Sequence, residues 1–337
     1  MDLAGFSTKG PRSINEDCYY FLDFSEVGLL SSGVSAFMMV SDGMGGHDGG
    51  DIASRIAAQE ADNYLRNLLK LAETSEVDLD VPFILTEIVN NAHKAITQEI
   101  DIRGNISMGA TFVGAFLSPQ KAWIAHVGDS RAYLVNQREC KQLTRDHSAV
   151  GRFLSMGLLT EEEAQHHPQR NVIDQALGMM TDKPEITEVS LMNGDALLLC
   201  SDGIYTVLSA KMLGDCVLSA NSADMAVNSL IDLALKEDTD DNATAVIAIQ
   251  NWSTLKPAAV KADLMESAIG SSQRSRMRPS KDSSPSHLLN AFSFQFKSNT
   301  SDSDPEFLEE HLDSLPLIVL AFACVIIAVN TLIIWPI

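Results

Sequence analysis

Residues 1–250 carry two periodicities of hydrophobic and polar positions. Seven short apolar runs are bounded by Gly, Pro, Asp or Asn and read as strands: AFMMVSDG (36–43), ATFVGAFL (110–117), AWIAHVGDS (122–130), RAYLV (131–135), ITEVSL (186–191), ALLLCSDG (196–203) and ATAVIAI (243–249). Residues 50–70, 82–103 and 222–236 instead repeat apolar positions at helical spacing, which lines one face of a helix and leaves the other to solvent. The strands come in clusters with little strict strand–helix–strand alternation. That favours a mixed α+β layering over a doubly wound parallel sheet.

The pattern changes after residue 252. Residues 253–314 are rich in Ser and charge, without sustained periodicity, and read as a flexible linker. Residues 315–335 (LPLIVLAFACVIIAVNTLIIW) are 21 positions without a charge. At about 1.5 Å per residue such a helix crosses the roughly 30 Å hydrocarbon core of a bilayer. A buried helix of a soluble core is the competing reading; the transmembrane helix is favoured because two residues after Trp335 could not cover it all round. The first ten residues lack the charged-then-apolar pattern of a signal peptide, so the bulk of the chain is expected on the cytoplasmic side.

Charge and cysteine content narrow the classes. Twenty-four Lys and Arg against 45 Asp and Glu give a formal charge of −21, which repels a phosphate backbone and argues against general nucleic-acid binding. Residues 256–300 carry a net +4 and 301–314 a net −6, so residues 1–255 hold about −19, the sum −21 − 4 + 6. Arg274, Arg276 and Arg278 could touch anionic lipid or simply be solvated. Five cysteines with no CxxC fit neither a disulfide framework nor a zinc knuckle, and indicate a reducing compartment.

The candidate chemistry lies in a repeated ending. Two apolar strands stop at Ser-Asp-Gly 160 residues apart, at Asp42 and Asp202. A third stops at Gly-Asp-Ser, at Asp129, and a fourth is entered through Asp240 and Asp241. Singly, an Asp-Gly is an ordinary turn. Carboxylates converging in one cleft repel each other and need a cation between them, and an oxygen-only set suits Mg²⁺ or Mn²⁺ rather than Zn²⁺. From the pattern alone, turns and a metal site both stand. RSINED (12–17) offers Glu16 and Asp17 as further ligands and Arg12 as a bidentate phosphate fork, although alone it is also an ordinary polar loop.

RSINED, SDGMGG (41–46), GDSR (128–131), SDG (201–203) and DNAT (241–244) occur in the order found in metal-dependent Ser/Thr phosphatases of type 2C, and the chain resembles that family over nearly all of residues 1–250. The stretch 146–179 looks like the flap of bacterial-style members, giving a flap of about 146–182 within a catalytic domain of 1–252. The resemblance implies a four-layer αββα sandwich, two antiparallel sheets flanked by helices, with a binuclear Mn²⁺ or Mg²⁺ centre at one end. It implies that Asp42 bridges both metals and the Gly43 carbonyl joins one. Asp202 and Asp241 then bind the first metal and Glu16 the second. Asp17 orders metal-bound water, Asp129 holds a third ion with Asp202, Arg12 binds phosphate, and Asn242 helps order the centre. The implied reaction is in-line attack of metal-activated water on phosphoserine or phosphothreonine.

Met44 stands where animal-type members carry a histidine acid, and His47, three residues on, is either that acid or a solvated loop residue. The expected partners are phosphorylated proteins, including a membrane-proximal Ser/Thr kinase. The expected setting is a bacterial inner membrane, with a monomeric catalytic domain in the cytoplasm. Two alternatives stay open: a catalytically silent phosphatase-like scaffold and a hydrolase of small phosphate esters.

Overall fold

A computed structural model of the chain describes residues 1–250 apart from 25–32, 46–48, 73–78, 105, 161–162, 165–166, 171 and 180–182. The strands are β1 (Asp2–Thr8), β2 (Asp17–Asp23), β3 (Ala36–Gly45), β4 (Met108–Ala110), β5 (Phe112–Leu117), β6 (Lys121–Val127), β7 (Arg131–Val135), β8 (Cys140–Gln142), β9 (Glu185–Ser190), β10 (Ala196–Cys200) and β11 (Ala243–Ile249). The helices are α1 (Gly50–Ala72), α2 (Val81–Ile102), α3 (Ala149–Ser155), α4 (Asp202–Tyr205), α5 (Ala210–Ser219) and α6 (Ala223–Lys236). One sheet runs β1-β11-β10-β7-β8 and the other β2-β3-β5-β6-β9, with β4 paired to β3 and every pairing antiparallel.

Alternation along the strands decides the layers. Ala36, Met38 and Val40 of β3 join Leu197, Leu199, Val246 and Ala248 of the other sheet in one buried cluster. Their neighbours Phe37 and Met39 turn the opposite way and pack on Ala53, Ala57 and Ala61 of α1 and Leu85 and Ile88 of α2. Leu198, Cys200, Ala245 and Ile247 likewise meet Leu213 and Val217 of α5 and Val227 and Leu230 of α6. The two sheets are therefore packed face to face, each with helices on its outer side. Each fully buried Leu, Ile, Val, Phe or Met in these clusters contributes about 1.5–3 kcal/mol. Because the central strands β3, β5, β10 and β11 have both faces covered, their runs look continuously apolar rather than alternating.

The helices start where local chemistry ends the preceding loop. The side chain of Asp80 accepts the Phe83 N–H at 3.1 Å before α2, and Ser222 accepts that of Met225 at 3.1 Å before α6.

All seven strand runs and all three helical stretches expected from periodicity fall on observed elements. Others were not picked out. β2 (DCYYFLD) begins at Asp17, so its first residue falls in the polar RSINED stretch. β1 is half-buried and carries Gly and Ser, and β4 and β8 are three residues each, too short for a period to show. The linker at 253–314 and the apolar segment at 315–335 lie outside the described residues. Among the described residues no helix is long and apolar enough to cross a membrane.

Candidate metal centre

Antiparallel register brings the aspartates together. Asp17, the first residue of β2, stands opposite Asp42 of β3. In the other sheet Cys200, the last residue of β10, pairs with Ala245 on one side and Arg131 on the other. Asp202, just past that end, is thereby set beside Asp241, which precedes β11, and Asp129, which precedes β7.

The ionisation of these groups shows how close they are. Burial, and then Asp17, Asp202, Asp129 and Asp241 in turn, push the Asp42 carboxyl well above the usual carboxylate range. Asp17 is raised to about 7, chiefly by burial; hydroxyl donors Thr244 and Ser201 oppose the shift, while Asp202 and Asp241 add to it. Asp129 is raised to about 8 by burial, Asp202 and Asp146, and Asp202 to about 6 by burial and Asp241. Glu16 is raised by burial and then by Asp51 of α1. Oδ1 of Asp202 is buried without a hydrogen-bond partner of good geometry. The Asp42 carboxyl nonetheless lies near enough to act as a donor to Asp202 once protonated.

The frame holding these side chains is polar and specific. The Asp42 N–H donates to Thr111 Oγ1 at 2.8 Å, and its carbonyl accepts the Thr111 N–H at 2.8 Å. Ser41 Oγ donates to the Thr111 carbonyl at 2.7 Å, and the Thr111 and Ser130 hydroxyls share a 2.6 Å bond. Ser201 Oγ donates to Asp17 Oδ2 at 2.7 Å. None of these hydroxyl residues was singled out from sequence, yet Ser41, Ser130, Ser201 and Thr244 each sit inside one of the aspartate motifs. The readable signal was a serine next to Asp42, Asp129 and Asp202 and a threonine three positions after Asp241.

Gly43 is required by close approach. A Cβ there would lie 2.0 Å from the Gly50 carbonyl oxygen and 2.7 Å from that of Glu16, so the first turn of α1 and the Glu16 backbone can come against β3 only at glycine. Gly203 is similar, since a Cβ would meet the Asn242 carbonyl at 1.9 Å.

The loop from Lys9 to Glu16 is organised by Asn242. Its Nδ2 donates to the Lys9 and Ile14 carbonyls, both at 2.9 Å, and its Oδ1 accepts the Glu16 N–H at 2.8 Å. Arg12 on that loop donates from Nε to the Asp240 carbonyl at 2.7 Å and from Nη2 to Asp241 Oδ2 at 2.8 Å. Its side chain is half exposed, at the rim of the cleft. The sequence-selected residues Arg12, Glu16, Asp17, Asp42, Gly43, Asp129, Asp202, Asp241 and Asn242 thus converge on one end of the two sheets. His47 lies outside the described residues.

Beside the cleft, Arg131 grips Asp146 at the start of the flap with two bonds of 2.9 and 2.7 Å, and its guanidinium lies 3.6 Å from the Tyr205 ring centroid. Cys18 and Cys200 are buried thiols raised far above their ordinary value by burial, which fits packing rather than nucleophilic roles.

Buried carboxylates that raise one another's pKa, an orphaned Asp202 oxygen and an all-oxygen donor set fit hard divalent cations. The family model described as Protein phosphatase 2C matches residues 23–256. The chain belongs to that family. Protein phosphatase PhpP of Streptococcus pneumoniae is 34% identical over 220 residues, covering 64% of this chain and 85% of its own. Serine/threonine phosphatase stp of Listeria welshimeri is 32% identical over 216 residues, covering 64% and 84%. The crystal structure of the Mycobacterium tuberculosis serine/threonine phosphatase PstP is 29% identical with a TM-score of 0.63, covering 74% of this chain and 98% of that one. A catalytic domain of PstP was solved in complex with two manganese ions. The family match begins at residue 23, so for Arg12, Glu16 and Asp17 the geometry is the independent argument.

Proposed function

We infer that this chain is a metal-dependent protein serine/threonine phosphatase. The observation that carries the reading is the convergence of Asp17, Asp42, Asp129, Asp202 and Asp241, each acting on the ionisation of others, with Arg12 at the rim. Glu16, Asp42, the Gly43 carbonyl, Asp202 and Asp241 would hold two Mn²⁺ or Mg²⁺ ions, and Asp129 with Asp202 a third. When bound, such ions supply the charge that makes water a nucleophile near neutral pH. Asp17, fixed by Ser201, orients a water as acceptor. Arg12 has a planar fork of donors for the phosphate oxygens and is pre-set by Asp240 and Asp241 at the mouth of the cleft. Thr111, Ser41 and Ser130 keep Asp42 from relaxing away from its neighbours.

Substrates in this reading are phosphoserine and phosphothreonine in proteins, including a kinase near the membrane. Exposed Met156 and Leu158 at the end of α3 give the flap an apolar surface for a protein chain. The acidic catalytic region favours basic phosphopeptides, a preference that added salt should weaken. The uncharged segment 315–335 supports a tether that confines the enzyme to a membrane, raising its local concentration near substrates.

The test is phosphate release from a phosphothreonine peptide in Mn²⁺ and then in chelator, beside Asp202→Asn. Turnover that needs metal and disappears in the variant supports the reading. Metal binding without release from peptides or small esters would turn it toward the scaffold, and release from small esters alone toward the other hydrolase.

A further inference from the structure

A second cluster of ligand-type side chains lies on the flap side of the Asp129 turn. His126 of β6 stands directly opposite Glu185 of β9 in the antiparallel register, so both side chains rise from the same face. His147, just before α3, closes over them, its ring centroid 4.5 Å from that of His126. One ligand atom from each of the three residues lies within 4.8 Å of the others. We propose that His126, His147 and Glu185 form a transition-metal site of the zinc class, separate from the aspartate centre.

Three observations carry this. His126 is 2% exposed, and neither ring nitrogen makes a hydrogen bond of good geometry, although the backbone of Ser130 and Gly128 stands near the ring. A buried imidazole with both nitrogens unpaired needs an explanation, and a cation supplies one. Burial, reinforced by His147, pushes the His126 pKa down to about 3, so a lone pair is available at neutral pH; the backbone of Ser130 and Gly128 opposes part of that shift.

Next, His147 Nε2 and Glu185 Oε2 are 3.4 Å apart. That is long for a hydrogen bond, and equals the edge of a tetrahedron with metal bonds of about 2.0–2.1 Å, which is roughly 3.3–3.4 Å.

The third is donor type. Two imidazoles and a carboxylate with an open fourth position suit Zn²⁺ and its neighbours in the transition series, whereas the aspartate cleft offers oxygens alone. Glu185 is 43% exposed and opens the site to solvent; Arg145, 4.0 Å from the same oxygen, is itself 63% exposed and leaves the ligand face open.

Occupancy reaches the Asp129 turn through one proton. His147 Nδ1 accepts the Gly128 N–H at 3.2 Å, so in that neutral form the ring proton sits on Nε2, facing Glu185. Ligation through Nε2 moves the proton to Nδ1 and releases the Gly128 contact. The His147 backbone meanwhile stays tied at both ends, its N–H donating to the Gly128 carbonyl and its carbonyl accepting the Asp174 N–H, each at 2.7 Å. A metal here therefore acts on the loop that carries Asp129 and on the flap at His147 and Asp174.

The experiment is titration of the full-length chain, first saturated with Mg²⁺, by Co²⁺, with its visible absorption recorded. Tetrahedral Co²⁺ with imidazole ligands absorbs far more strongly than octahedral Co²⁺ among oxygens. The expected result is a strong band saturating at one equivalent, weakened about tenfold or more in affinity by Glu185→Ala and by His126→Ala, and kept in Asp202→Asn. Glu185 is at the surface, so its variant reads the site without threatening the fold. A spectrum that stays weak, a band indifferent to Glu185→Ala, or a band lost in Asp202→Asn would overturn the proposal.

Discussion

The aspartate cleft and the His126 pocket each contain a buried polar atom without a partner, yet they differ in what they ask for. In the cleft, carboxylates from both sheets raise one another's pKa, and neighbouring hydroxyls and backbone groups hold them in place. In the pocket, two imidazoles with ring planes tilted 50° to each other lie beside one solvent-facing carboxylate, and the buried ring is neutral. The first arrangement is strained by like charge and suits a hard cation. The second is short of hydrogen bonds and suits a softer one. Two sites on one scaffold can thus be told apart by donor chemistry alone.

The comparison breaks most visibly at Asp202. Asp202→Asn removes a charge and a ligand from the cleft, and peptide turnover in Mn²⁺ is expected to fall roughly a thousandfold, the scale of losing one preorganised electrostatic stabiliser, while Co²⁺ binding at the pocket is retained. Arg12→Lys should come next. A point charge replaces the fork, so turnover falls on the order of 10–100-fold with metal affinity unchanged in calorimetry. Gly43→Ala forces a Cβ against the Gly50 carbonyl, and thermal or urea unfolding should show a loss of about 1–3 kcal/mol or more.

Metal removal gives a pH test. Folded Asp202, Asp17 and Asp129 titrate near 6, 7 and 8 against an ordinary 3.8, so the folded state binds these protons more tightly than the unfolded one. Their contribution to stability is fully present below pH ~4 and is lost as pH rises through 6 to 8. In chelator the domain should therefore melt at a lower temperature at pH 8 than at pH 6. Mn²⁺ takes the place of those protons, and its affinity should climb over the same window. The smallest effect is expected at the other site, where Glu185→Ala should leave Mn²⁺-dependent turnover within about twofold, as surface changes usually do. A larger loss would mean that the two sites are not separable.

The two sites were unequally legible in the sequence. The cleft announced itself because its ligands flank apolar strands: Asp42, Asp129 and Asp202 sit where a run of buried positions stops, and Asp241 where one begins. The helices and central strands were legible for the same reason, since burial imposes a period. The pocket carries no such punctuation. His126 lies inside a strand, Glu185 opens one that is 59 positions away, and His147 comes from a loop between them. Only the pairing of β6 with β9 makes neighbours of His126 and Glu185, and pairing is a property of the sheet rather than of local sequence. Thr111 was unreadable for the same reason. Its hydroxyl matters because β3 runs alongside it, not because of its own neighbours in the chain.

The most direct test of the account is anomalous diffraction from crystals grown in Mn²⁺. The account predicts two manganese peaks between Asp42, Asp202, Asp241 and Glu16, with Asp42 shared by both and Arg12 free to meet a phosphate. Crystals that hold manganese only outside the aspartate cleft, or a cleft without metal whose aspartates stay protonated at pH 8, would contradict it.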